Sequence, residues 1–150
     1  MLQENTVLLA RPHPFIVERM TEFLARNHYA TRSVADGEDM PDGAVKGVVI
    51  STSVAAKSWR VGETFRKIRE RLPDVPILFA TLMQPEQALA ALKAELAGMV
   101  DDPVFVTLGG PAADQARLGA ANVFLVVHKD QVACPDALAR AGWLVSRHFH

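Results

Sequence analysis

Short runs of contiguous apolar residues alternate along this chain with stretches in which apolar positions recur every three or four residues. Val7-Leu8-Leu9-Ala10 is the first run, the pattern of a strand covered on both faces. Pro12 and Pro14 end it, and Pro14 suits the first turn of a helix reaching to about Asn27. In that helix Ile16, Met20, Phe23 and Leu24 share one face, while Glu18, Arg19, Glu22 and Arg26 fall on the other. Tyr29 to Val34 reads as a weaker second strand closed by Asp36-Gly37. Glu38 to Lys46, interrupted by Pro41 and Gly43, is too short and broken to read as a helix.

The alternation continues to the end. Gly47-Val48-Val49-Ile50 is a third strand, dense in β-branched residues. Val61, Phe65, Ile68 and Leu72 then repeat at four, three and four, predicting an amphipathic helix that stops before Pro73. Pro76 introduces a fourth strand, Ile77 to Ala80, and Pro85 opens a helix with Leu89, Leu92, Leu96 and Met99 on one face. Val104-Phe105-Val106 reads as a strand, Gly109-Gly110-Pro111 as a turn into a short helix, and Val123 to Val127 as the last strand. Pro135 starts a final helix bearing Leu138, Ala141, Leu144, Val145 and Phe149. Strands and helices in strict alternation imply a parallel sheet, right-handed crossovers and helices on both faces. The expected architecture is α/β, three-layer, in a single domain over residues 1–150.

Composition narrows the functional classes without choosing among them. Lys and Arg number 16 against 17 Asp and Glu, a net charge of -1, which leaves no surplus of cations for a nucleic-acid face. With 49% apolar and 22% charged residues the chain is expected to fold rather than remain disordered. The lone Cys134 has no partner for an internal disulfide and cannot build a thiolate cluster, which suits a reducing cytoplasm. The polar segment Met1 to Thr6 resembles neither a secretory signal nor a membrane span.

From Thr6 to Leu82 the order of elements resembles the receiver domains of two-component response regulators, a bacterial family with a flavodoxin-like (CheY-like) sheet. The resemblance rests on Thr6-Val-Leu-Leu-Ala10 followed by a helix, and on Tyr29 to Asp39, close to the family's second strand and its Ala-x-Asp-Gly-Glu-Glu turn. It also rests on Gly47 to Ser51, on Arg66-Lys67-Ile68-Arg69, and on Pro76 to Thr81, similar to the third strand, third helix and fourth strand. Gly119-Ala120-Ala121-Asn122 is similar to the Gly-Ala-Asp-Asp step before the last strand. The resemblance implies a five- or six-stranded parallel sheet. About forty residues separate Thr81 from Val123, where the family has one helix and a short loop. An additional strand and helix at residues 101–118 are therefore expected, since Val104 to Val106 would otherwise face water.

The family's chemistry does not follow from the resemblance. Receivers hold Mg²⁺ on acidic residues after the first strand and phosphorylate an Asp that ends the third. Here Ala10 and Arg11, or Arg11 and Pro12, stand at the first position, and an arginine repels a hard cation that needs oxygen ligands. The third strand ends Ser51-Thr52-Ser53, and a serine hydroxyl is a weak nucleophile without a base or metal. Ser51, Ser53 and Arg11 are thus degenerate equivalents of the phosphorylation site. Thr81 matches the hydroxyl residue that closes the family's fourth strand, and Lys129 lies near the family's lysine, with Lys129-Asp130 in place of its Lys-Pro pair.

Other constellations are weaker. Gly109-Gly110 ahead of a helix can hold an anion, though a tight turn explains it as well. No G-x-G-x-x-G and no Walker sequence is present. Cobalamin-binding domains share this sheet and an Asp-x-His-x-x-Gly loop; here only His13 matches, with Arg11 and Ile16 at the Asp and Gly positions. His13, His28, His128, His148 and His150 have no metal-site spacing and read as solvated side chains, with His13 and His128 near the sheet's carboxyl edge and His28 at the opposite end. Ser51, Ser53 and His13 lack both a nucleophile elbow and an acidic orienter, so hydrolase chemistry is not expected. Trp59 stands over the cleft after the third strand and can close it or anchor a partner. Trp143 lies about one residue off the apolar face of the last helix, which reads as packing at a helix edge or as a partner surface.

The reading that follows is a cytoplasmic pseudo-receiver, a non-enzymatic signalling domain acting by protein–protein interaction without Asp phosphorylation. Its expected partner is another signalling protein, or a second copy in a homodimer; no cofactor, metal, nucleic acid or membrane is implied. The alternative is a small-ligand domain of the same fold that binds cobalamin or an anion at the sheet's carboxyl edge.

Overall fold

A computed structural model describes residues 5–10, 14–34, 45–52, 61–107, 117–132 and 134–149. The turn at Gly109-Gly110-Pro111 and the segment from Asp36 to Gly43 lie outside them. Six parallel strands form one sheet: β1 (Thr6–Ala10), β2 (Ala30–Val34), β3 (Gly47–Thr52), β4 (Ile77–Thr81), β5 (Val104–Thr107) and β6 (Val123–His128). Their spatial order is β2-β1-β3-β4-β6-β5, so the chain starts beside the middle, runs to one edge, then crosses back over β1 to fill the other side. The segment between β4 and β6 does supply a sixth strand, and it takes the outermost place.

Four helices cover the sheet: α1 (Pro14–Arg26), α2 (Val61–Arg71), α3 (Pro85–Glu95) and α4 (Pro135–His148). The pleat divides the strand residues between two cores. Val7, Leu9, Val49, Leu78, Leu125 and Val127 meet Met20, Phe23 and Leu24 of α1 and Ala141, Leu144 and Val145 of α4. Leu8, Val48, Ile50, Ile77, Phe79 and Val126 meet Phe65 and Ile68 of α2 and Ala88 and Leu92 of α3. The runs without polar alternation, β1, β4 and β6, are the ones buried along their whole length, as two-sided cover requires.

Two apolar expectations fail at β5 and α3. Only Val106 of β5 is fully buried; Phe105 is half-buried and Val104 is exposed, because an outermost strand has a neighbour on one side only. Met99 does not continue the α3 face. The helix ends at Glu95, Leu96 caps it, and Gly98 takes φ 80°, a turn open to glycine, which carries Met99 out into solvent.

Polar side chains tie the amino edge of the sheet. Arg69 of α2 donates to the carbonyls of Leu72 (3.2 Å) and Val75 (2.7 Å) through Nη1 and to that of Ala121 through Nη2. Its burial pulls the guanidinium below its usual pKa, with Asp74 pushing back. His148, read from the sequence as solvated, is fully buried at the end of α4. The Gly119 N–H donates to its Nδ1 (3.0 Å), and Nε2 lies 2.8 Å from the Ile77 carbonyl. A carbonyl can only accept, so this pattern places the proton on Nε2. An imidazole that bonds backbone groups through both of its nitrogens is stable in a core, which is why the solvated reading fails here.

Tyr29, the single tyrosine, is half-buried with its ring edge-on to Phe149 (6.0 Å, 85°). Burial raises its pKa above the ordinary 10.0, and a hydrogen bond with Ser146 pulls the other way. The folded state thus resists an ionisation that the unfolded chain accepts. Stability is intact below about pH 10 and falls as pH rises through that value toward the folded-state pKa. Tyr29→Phe is expected to flatten this alkaline decline in urea melts; an unchanged slope would show that the phenol contributes nothing to it.

Candidate functional site

The carboxyl ends of the strands form the edge on which receiver chemistry would sit. Register levels three of them: Thr52 of β3 lies opposite Thr81 of β4, and Thr81 opposite His128 of β6. β1 ends at Ala10, opposite Ile50. No strand of this central group closes on a carboxylate. The sequence has no Asp or Glu between Glu4 and Glu18, or between Asp42 and Glu63, so the segments following β1 and β3 bring none near either.

Of the predicted site residues, Ser51 and Thr81 come onto neighbouring strands but not level with each other. Ser51 pairs with Ala80, is nearly fully buried, and by alternation sits on the Val49 side of the sheet. Thr52, between the two serines singled out from the sequence, holds the level position. Lys129 opens a 3-10 turn, Lys129–Val132, one residue past the end of β6. Arg11, Ser53 and Trp59 lie outside the described residues, as does His13, on which a cobalamin site would depend.

Thr81 is fully buried, and its Oγ1 accepts the Met83 N–H (2.9 Å). The hydroxyl therefore shapes the turn that leads into α3, a short-range use typical of Ser and Thr. His128 is the residue that strand reading missed. The last strand extends one residue beyond Val127, and His128 is buried rather than solvated. Its Nε2–H donates to the Leu82 carbonyl (3.2 Å), while the Asp130 N–H donates to its Nδ1 (3.1 Å). Its backbone N–H donates to Gln131 Oε1 (2.9 Å). The Asp130 carboxylate stands 3.5 Å from Nδ1 and is largely exposed. Both ring nitrogens are thus engaged in joining the ends of β4 and β6, and neither is left to activate a nucleophile. The sequence signal was Val126-Val127-His128-Lys129, but level pairing between strands decides which residue reaches the edge.

Trp143 belongs to a different surface. It is 44% exposed, on the side of α4 away from buried Ala141, Leu144, Val145 and His148, so its ring is only partly covered. One residue off an apolar face is a rotation of about 100°. The guanidinium groups of Arg140 and Arg147, one turn to either side, lie over its ring at 5.1 and 4.8 Å.

No family model matches the chain, and no curated protein matches it in sequence. Among solved structures it is similar to a response regulator receiver protein from Sinorhizobium medicae WSM419, at 16% identity and a TM-score of 0.55. The match covers 99% of this chain and 97% of that one. Identity that low speaks for backbone alone, and the strand order, helix layers and end-to-end match agree: this chain has the flavodoxin-like α/β fold of a response regulator receiver domain.

Proposed function

We propose that the chain is a pseudo-receiver, a non-enzymatic signalling module that works by contact with another protein and without phosphorylation of an aspartate. The observation carrying this reading is the make-up of the carboxyl edge. Ala10, Thr52, Thr81 and His128 end the four central strands and none of them is a carboxylate; the Asp130 carboxylate beside His128 follows β6, not β1 or β3. Mg²⁺ needs oxygen donors, and acyl-phosphate chemistry needs an acidic acceptor. The one hydroxyl matching the receiver pattern, Thr81, already accepts a backbone N–H, and the adjacent imidazole is bonded on both nitrogens. An edge so closed by its own side chains supports a scaffold role, with recognition left to the surface.

An amide NMR titration with Mg²⁺ followed by beryllofluoride, an acyl-phosphate mimic, tests the reading. The expected spectrum shows no saturable shifts at Ser51, Thr52, Thr81 and His128. Saturable shifts there would return the domain to the switchable receivers and sink the proposal.

A further inference from the structure

Three large apolar side chains are exposed among the described residues: Met99 (43%), Val104 (38%) and Trp143 (44%). They form two patches of opposite charge. Trp143 occupies the middle of the outward side of α4, with exposed Ala139 and Ser146 beside it. Arg140 and Arg147 stack on its ring, which fixes the indole as a flat plate while both guanidinium groups keep their charge. Tryptophan and arginine held in this way are the residue types that anchor protein contacts.

The second patch lies where the chain enters β5. Met99 and Val104 are exposed there with Asp101 and Asp102 between them, both exposed. Asp102 takes φ 50°, and its carbonyl accepts Asn122 Nδ2–H (3.0 Å), so this acidic corner is held in shape. β5 is also the outermost strand, paired with β6 on one side only.

We propose that these patches are two halves of one contact, in which the Arg140–Trp143–Arg147 face of one copy seats on the Met99–Val104 corner of the next. The sign of charge and the apolar centre are complementary, and a single contact accounts for all three exposed apolar side chains. Each copy carries both halves, so copies join either reciprocally about a two-fold axis, each half meeting the other's opposite half, or head-to-tail into a ring or a chain. A handful of residues per side covers less than about 1,000 Å², which makes the association weak and dependent on local concentration. This inference goes beyond the functional reading above and does not depend on it. Beryllofluoride reports on the carboxyl edge, whereas self-association reports on α4 and β5.

Sedimentation analysis of the purified chain from about 10 μM to about 1 mM tests it. The average mass of the wild type is expected to rise with concentration at low salt and to fall back at about 0.5 M salt. Arg140→Asp with Arg147→Asp breaks one half; Asp101→Asn with Asp102→Asn breaks the other, the asparagine at 102 tolerating the positive φ. Each double variant alone is expected to remain monomeric with unchanged thermal unfolding. Mixed in equal amounts they are expected to form a dimer that grows no further, because each retains the half the other lacks. Trp143→Ala is expected to abolish wild-type association. A wild type that stays monomeric overturns the proposal, as does association that survives the variants, or a mixture that gives no dimer. If the wild type stays monomeric but an acidic foreign peptide shifts the Trp143 indole resonance, the face serves another protein and the self-contact is wrong.

Discussion

Replacing Phe149 with alanine is expected to lower the unfolding free energy by about 3–5 kcal/mol, read from urea denaturation, with the fold retained at neutral pH. Phe149 caps α4, its N–H bonded to the Val145 carbonyl (2.8 Å), and its side chain is fully buried. The ring meets Tyr29 edge-on and His148 at 5.5 Å, and it lies over Gly47 at the start of β3. A methyl group on Gly47 would come within 2.2–2.8 Å of three ring atoms. Gly47→Ala is therefore expected to cost about 1–3 kcal/mol or more in the wild type. In the Phe149→Ala background the ring is gone and the methyl has room, so the same change should cost far less. A coupling of about 0.5–3 kcal/mol is expected from the four-variant cycle. Strict additivity would mean that the two residues do not share the space the structure assigns them.

His148→Ala is expected to produce the other large loss, again about 3–5 kcal/mol. It removes the acceptor of the Gly119 N–H and the donor to the Ile77 carbonyl, and an unsatisfied buried polar group costs about 1–3 kcal/mol. The void left by a fully buried ring adds to this. His148→Gln is the informative companion, since an amide side chain offers one donor and one acceptor and should recover part of the loss. If Ala and Gln are equally damaging, shape matters and the hydrogen bonds do not. A loss below about 1 kcal/mol for His148→Ala would contradict the bridging role altogether.

Much of the fold was legible because burial on both faces of a strand writes itself as an unbroken apolar run. Val7 to Ala10, Ile77 to Ala80 and Val123 to Val127 each lie inside the sheet, with a strand on either side. The extra strand was legible too, as Val104 to Val106 has no helical spacing. What pattern alone does not carry is the pairing between elements. Whether Ser51 or Thr52 lies level with Thr81 depends on the stagger of two strands, which neither strand encodes by itself. His128 and His148 looked like loop and end residues because their partners, Leu82, Ile77 and Gly119, stand 46, 71 and 29 positions away. Gly47 reads locally as the start of a strand, and its lack of a side chain answers to Phe149 on another layer. Trp143 is the different case. Its rotation away from Ala141 and Leu144 was present in the spacing, and a stricter helical projection would have placed it outward.

Arg69 and His148 come from opposite layers yet fasten the same two stretches of chain. Arg69 binds Val75 and Ala121 from the α2 side; His148 binds Ile77 and Gly119 from the α4 side. Each stretch leads into one of the neighbouring strands β4 and β6, so the pair is bolted at its foot from front and back. Prising the strands apart from that end means undoing both fastenings together. At the opposite end, among the described residues, a side-chain link between the two strands' ends is the span from His128 to Leu82. The central seam of the sheet is built like a zip whose base is stitched from both faces.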